Sequence, residues 1–298
     1  MGKIKNFIKK FIVLVIVILI PLILLLANPG NPVYASVNPD PSIAGGSSHT
    51  IALKSDGTVW SWGDNTYGQL GDGTGITRYT PVEVQGLSSK TITAIAAGDN
   101  SSYFLASDGT VWSVGYNNYG QLGDGTTTSR NLPVEVQGLS GKTITAIAAG
   151  INSAYFLAID GTVWSVGLNT NGQLGDGTTT SRSFPVQVQG LSSKTITAVA
   201  GGQYTAYFLA SDGTVWSVGY NYYGQLGDGT TTRKTQPVQV QGLSGKTVTT
   251  VAAGYNSAYF LASDGTVWSV GYNNNGQLSD GTTTNKSVPV QVQGLSSM

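Results

Sequence analysis

An all-β fold assembled from five copies of one 52-residue unit is predicted by three observations. Tryptophans recur at Trp60, Trp112, Trp164, Trp216 and Trp268, each 52 residues after the last. Each unit divides into four short runs rich in β-branched, aromatic and small residues, with no helical periodicity. In runs such as Val111-Trp112-Ser113-Val114, large apolar groups fall on both faces, so neither face is made for water. A unit of this kind cannot bury its own faces and must stack on its copies. Four-stranded units stacked in this way are the blades of a β-propeller.

The unit from Thr91 to Lys142 shows the elements in order. Thr91 to Gly98 and Ser101 to Ser107 read as strands separated by a Gly-Asp-Asn turn. Asp108-Gly109 predicts a two-residue type I′ hairpin into a third strand, Thr110 to Gly115. A long loop rich in Tyr, Asn and Gly follows. Leu132 to Gln137 is the fourth strand, with Pro133 suited to a strand start or an edge. The first unit has Pro39-Asp40-Pro41 where the others have Thr-Ile-Thr or Thr-Val-Thr, so its first strand is expected to be degraded. A closed five-bladed ring is the favoured arrangement, with an open or truncated arc as the alternative.

Residues 1–35 read differently. Four lysines within the first ten residues precede an apolar run from Phe11 to Ala27, broken only by Pro21, and Val33-Tyr34-Ala35 has the small-residue spacing of a signal-peptidase site. This order predicts a signal peptide over 1–35, with 36–298 as the exported repeat domain; if uncleaved, the same segment is a membrane anchor. The whole chain has 15 basic and 15 acidic residues, and losing four lysines leaves eleven against fifteen, a net charge of −4. No basic patch for nucleic acid is expected. The absence of cysteine excludes disulfides and thiolate metal sites, so packing alone must hold the exported domain together.

Ala44 to Leu53 (AGGSSHTIAL), Asp56 to Gly63 (DGTVWSWG) and Asn65 to Gly73 (NTYGQLGDG) resemble the regulator of chromosome condensation repeat family. The resemblance extends from Ile43 to Leu295 and implies a β-propeller, commonly of seven blades. It departs from the pattern in three places: His-Thr is present only at His49-Thr50, the second tryptophan only at Trp62, and the last Gly-Gln-Leu-Gly ends in Ser279. Its eukaryotic founding member implies a guanine-nucleotide exchange factor for a small GTPase. Its exported bacterial members include a β-lactamase inhibitor protein, which implies a protein target.

Catalytic groups are scarce. His49 is the single histidine, and no G-x-S-x-G or H-E-x-x-H is present, so no catalytic residue, metal or cofactor is expected. Gly138 to Thr143 ends like a phosphate loop, but its glycine spacing is two residues short and a strand pattern follows where a helix is needed. Asp72, Asp124, Asp176, Asp228 and Asp280 share one phase of the repeat, and Arg78, Arg130, Arg182, Lys234 and Lys286 share another. Each set should form a ring about the axis, the aspartates capping turns and the basic groups standing as solvated loop tips open to a ligand.

Variation between copies is concentrated in the loop after the third strand, which reads DNTY, YNNY, LNTN, YNYY and YNNN. Tyr67, Tyr116, Tyr119, Tyr220, Tyr222, Tyr223 and Tyr272 lie there among asparagines, the composition of recognition loops. The loop before the second strand varies too. The expected function is a non-enzymatic scaffold, secreted or held at the surface of a Gram-positive bacterium, binding an extracellular protein or a cell-wall glycan through these loops. A polysaccharide-processing enzyme is a third class, which requires two carboxylates roughly 5–10 Å apart in a cleft.

Overall fold

A computed structural model describes residues 40–295; the expected signal segment lies outside them. Five separate four-stranded antiparallel sheets follow one another, each with its strands in sequence order. Blade 1 comprises β1 (Ser42–Gly45), β2 (His49–Leu53), β3 (Val59–Gly63) and β4 (Arg78–Glu83). Blade 2 comprises β5 (Ile92–Ala97), β6 (Ser101–Ala106), β7 (Val111–Gly115) and β8 (Arg130–Glu135). Blades 3, 4 and 5 repeat the pattern over 144–187, 196–239 and 248–291. β1 has four residues where the other first strands have six, as the Pro39-Asp40-Pro41 substitution predicts.

The core lies between blades rather than within them. Along β6 every residue is buried, and alternate side chains serve opposite neighbours. Phe104, Ala106 and Val114 pack toward blade 1, against Ile51, Leu53 and Val59. Tyr103, Leu105 and Val111 pack toward blade 3, against Phe156, Ala158 and Val166. The same contact recurs between blades 3 and 4 and between blades 4 and 5. Tyr155 meets Phe208 edge-to-face at 6.4 Å, and Tyr207 meets Phe260 at 6.3 Å. Blades 2 to 5 therefore each have a leading face of Phe, Ala and Val and a trailing face of Tyr, Leu and Val, while blade 1 offers Ile51, Leu53 and Val59 on its trailing side.

Trp112, Trp164, Trp216 and Trp268 belong to the same interfaces. Trp112 packs on the blade 1–2 core, with the Lys90 ammonium 5.5 Å from its ring centroid. Lys90 also pairs with Asp108 at 2.8 Å, which clasps the connection between blades to the hairpin turn. Lys142, the end of the phosphate-loop look-alike, does the same with Asp160 and Trp164. Blade 1 takes its lysine from the residue just after its own second strand instead, with Lys54 on Asp56 and Trp60.

The hairpin differs from the type I′ expectation. Gly109 has φ 81°, while Asp108 is absent from the positive-φ residues. Gly109 N–H closes a turn on Ala106 O at 2.9 Å, and Ala106 N–H reaches Thr110 O. The loop is a three-residue turn with its left-handed position at the glycine alone, because Asp108 uses its carboxylate to accept from Thr110 N–H and Oγ1.

At the other end of each blade, the first strands converge on the axis. A Cβ on Gly46, Gly98, Gly150 or Gly202 would lie 2.5 to 3.0 Å from the carbonyl oxygen of the corresponding glycine in the next blade. Only glycine permits that approach. Gly254, in blade 5, has no carbonyl of blade 1 among its close neighbours. The described residues form an arc of five blades in which blade 5 is not joined to blade 1 by this contact.

Two stability outcomes are expected. Phe208→Ala should lower unfolding free energy by about 3–5 kcal/mol in denaturant titration, since it empties the blade 3–4 core. Ser279, at φ 54°, is the single non-glycine residue with positive φ among those described. Ser279→Gly should raise stability by about 1 kcal/mol in the same titration.

Candidate functional site

Strand alternation places the β1–β2 and β3–β4 loops of every blade at one end and the Asp-Gly hairpins at the other. The variable loops therefore share a face. Their frame is the same in every blade and rests on a residue type that the composition argument treated as free. Asn117 is fully buried; its Oδ1 accepts from Leu122 N–H at 2.9 Å, and its Nδ2 donates to Asp124 Oδ1, Thr126 O and Thr128 O at 3.1–3.2 Å. Asn65, Asn169, Asn221 and Asn273 repeat this staple. The first asparagine of each loop is committed to the scaffold and unavailable to a ligand, a correction to its reading as a recognition group. Its signal was present: this Asn is constant in all five copies, while the positions around it vary.

The aspartate and basic rings are one ring of neutral pairs. Asp124 caps its turn by accepting from Thr126 N–H at 2.9 Å and takes Arg130 at 2.6 Å. The carboxylate is 6% exposed and the guanidinium 35%. Arg78 and Arg182 pair with Asp72 and Asp176 in the same way, and Lys234 and Lys286 with Asp228 and Asp280 at 3.3 and 3.1 Å. The basic groups are half-buried strand-start residues rather than solvated tips, because the buried carboxylate needs a counter-charge. Among the described residues Arg233 alone of the basic groups lacks a carboxylate partner, and its Nη1 donates to Thr170 O at 3.3 Å. Asp64, Glu83, Asp99 and Glu135, all of blades 1 and 2, have no basic partner.

The tyrosines come together in two clusters. Tyr67 and Tyr116 stand 4.8 Å apart across the blade 1–2 seam, with Tyr119 at 6.1 Å from Tyr116. Tyr220, Tyr222 and Tyr223 form a second group, joined to Tyr272 of blade 5 at 4.9 Å. Blade 3, with Leu168 and Asn171 at the equivalent positions, separates them. Tyr204, from the blade 4 turn before the second strand, adds to the second group at 6.3 Å from Tyr220. The sequence reading noted variation in that turn but not this aromatic. Tyr222 is 68% exposed, the most open ring of the group.

Inside these loops, the first-strand ends of all five blades line one axial cavity of about 340 Å³. Its rim carries Ser47, Asp99, Ile151, Gln203 and Tyr255, five different residues at one repeat position. Below it, His49 Nε2 lies 2.9 Å from Ser102 Oγ, whose proton goes to Gln69 O. The ring must therefore donate from Nε2, leaving Nδ1 bare and buried. Burial holds His49 down at about 4, against the opposing pull of Asp64 and Asp99.

The pH response follows in sign. The unfolded chain protonates His49 near 6.5 and the folded one near 4, so stability falls as pH drops through that window. Asp108 and Asp160 are held at about 2 by hydrogen bonds from their lysine and threonine partners, so their contribution is lost on further acidification below 3.8. Melting temperature should therefore decline in two stages below pH 6.5. His49→Ser, which installs the residue of blade 2 at this position, should remove the upper stage and keep the lower.

The family profile of the RCC1-like domain matches residues 31–298. The ultraviolet-B receptor UVR8 of Arabidopsis thaliana is 31% identical over 254 residues, covering 85% of this chain and 58% of that protein. The human E3 ubiquitin-protein ligase HERC2 is 33% identical over 256 residues, which cover 85% of this chain and 5% of HERC2. The chain thus spans little more than half of one relative and a small part of the other. Human WBSCR16 superposes with a TM-score of 0.76 at 24% identity, covering 84% of this chain and 66% of that one. Yeast RCC1 (Prp20), in a structure with Kap60, gives 0.74 at 23%, covering 85% and 63%. These two share the fold. With the blade order, the repeat motifs and the match over residues 31–298 all in agreement, the chain belongs to the RCC1-like domain family.

Proposed function

We propose that this chain is a non-catalytic binding scaffold, exported to the outside of the cell, whose loop face engages a protein partner. The observation that carries the reading is the pairing of a constant frame with variable contacts. Asn, Gln and Asp side chains staple each loop in the same way, and on that frame stand two clusters of partly exposed tyrosines. Rigid aromatic side chains on immobile loops supply contact area at low entropic cost. The basic residues Arg78, Arg130, Arg182, Lys234 and Lys286 support this face by holding the loops through their aspartates. Asp64 and Asp99 add uncompensated negative charge beside the first cluster, so a basic patch on the partner is the complementary surface.

The exchange-factor reading is less well supported. The third and fourth strands have the same lengths in all five blades, with no insertion to serve as a wedge. The ligase activity in the name of HERC2 belongs to a protein of which this chain matches 5%. The glycosidase class finds its carboxylates largely engaged in ion pairs and turns.

The test is capture from extracellular proteins and from isolated cell walls, using residues 36–298 beside a variant with Tyr116, Tyr119, Tyr222 and Tyr223 changed to alanine. A protein retained by the wild type and bound at least about tenfold more weakly by the folded variant supports the proposal. Retention on cell walls instead makes the ligand an envelope polymer. Equal capture by both forms, or none, removes the loop face from the function.

A further inference from the structure

The seams between blades are not alike on the loop face. In blade 2, Gln121 Oε1 accepts from Tyr119 N–H, and its Nε2 reaches across the seam to Asn152 Oδ1 of blade 3 at 3.1 Å. Gln225 makes the same bond to Asn256 of blade 5 at 3.4 Å, and Gln69 in blade 1 turns instead to Asp64 of its own loop at 2.8 Å. Blade 3 has neither acceptor: Leu168 stands at the position of Asp64, and Tyr204, in blade 4, at the position of Asn152. Gln173 is 1% exposed, its Oε1 accepts from Asn171 N–H at 2.9 Å, and its Nε2 has no partner. Held as Gln121 is held, that amide faces the seam where Tyr204 stands. A buried donor left without an acceptor costs free energy, so its presence here calls for a cause.

The same seam carries the unpaired guanidinium. Ser129, Ser181 and Asn285 occupy the position of Arg233 in other blades, and each accepts from the backbone N–H of the asparagine that staples its loop. Arg233 has no acceptor to offer and gives up that frame bond. It is exposed, and its Nη1 crosses the seam to Thr170 O of the blade 3 loop at 3.3 Å. The tip of that loop is Asn171, where blades 1, 2 and 4 have Tyr67, Tyr119 and Tyr223, so a smaller side chain stands at this seam.

We propose that the blade 3–4 seam binds an acidic segment of the protein partner: a carboxylate pairs with Arg233, and an oxygen of the same segment accepts from Gln173 Nε2 once the half-buried Tyr204 ring turns aside. This rests on the reading of the loop face as a protein-binding surface and specifies its chemistry. Both open groups at the seam are donors and one is charged, so an acidic segment satisfies both and makes a charge-assisted bond with the guanidinium. Asp64 and Asp99 stand on blades 1 and 2, so a partner with a basic patch for those blades and an acidic segment for this seam docks in one orientation.

The probe is the capped peptide Gly-Glu-Glu-Gly, with Gly-Gln-Gln-Gly as its neutral counterpart, titrated into the isotope-labelled full chain and followed by NMR. The Gln173 side-chain amide and the Arg233 Nε–H should shift saturably with the Glu peptide, and the Gln peptide should bind at least about tenfold more weakly. Arg233→Ser, which installs the residue of blade 3 at this position, should weaken the Glu peptide by a similar factor. Tyr204→Asn, which gives Gln173 the acceptor found at the flanking seams, should abolish the shift of its amide. No saturable shift, equal binding of the two peptides, or equal binding of the Glu peptide to wild type and to folded Arg233→Ser overturns the proposal; a guanidinium that only braces the blade 3 loop gives the last result. A protein captured by Arg233→Ser as well as by wild type, but lost with the tyrosine variant, overturns it and leaves the protein-binding reading intact. Peptide binding that depends on Arg233, beside equal capture by the tyrosine variant, supports the seam site and removes the tyrosines from the function.

Discussion

The contact between a Tyr/Leu/Val trailing face and a Phe/Ala/Val leading face is the constraint on which everything else depends. A four-stranded sheet whose second strand is apolar on both sides has no stable existence in water by itself. It becomes stable only when a neighbour covers each side, and the fully buried second strands of blades 2, 3 and 4 show that condition met. Cysteine-free and modestly charged, the chain has little besides this packing to hold it together. The tryptophan, lysine and aspartate clasp at the hairpin end and the glycine contacts at the axis register one blade against the next. They align an interface that the apolar side chains drive.

Charge has been arranged to be locally silent. Ten aspartates meet ten basic side chains within hydrogen-bonding range, each blade holding one pair on the loop face and one at the hairpin end. A set of like charges about an axis would focus a field, but these pairs cancel it at close quarters. What remains is an acidic excess on blades 1 and 2 and one guanidinium on blade 4. The loop face therefore presents tyrosine and backbone groups with only a weak directional charge.

Much of the fold was legible because the repeat makes each residue's role testable against four copies. The tryptophan period, the four strand-like runs and the two-sided apolar pattern place four strands in every blade, although the fourth begins at Arg130, two residues before the expected Leu132, and Pro39-Asp40-Pro41 accounts for the short β1. The hairpin type was not legible, since Asp-Gly serves both a two-residue and a three-residue turn and only the competing Thr110 bonds decide. The aspartate and basic sets were seen as separate rings because sequence shows phase but not which side chains meet. Arg130 reaches Asp124 from six residues away, across a loop whose path the sequence leaves open. Tyr204 was missed for a related reason: its turn and the loop of Tyr220 are neighbours only once the blade's two upper loops are folded side by side.

The sameness of the interfaces bears on how such a chain changes over evolutionary time. Because the trailing face of blade 2 is nearly the face of blades 3 and 4, duplicating or deleting one whole unit leaves every remaining seam with a correct partner. An insertion of any other length within a strand shifts that strand out of register and exposes a core. Genetic recombination between near-identical repeats can therefore change the length of this protein in quanta of 52 residues. The coding sequence is free to lengthen or shorten the arc without inventing a new contact.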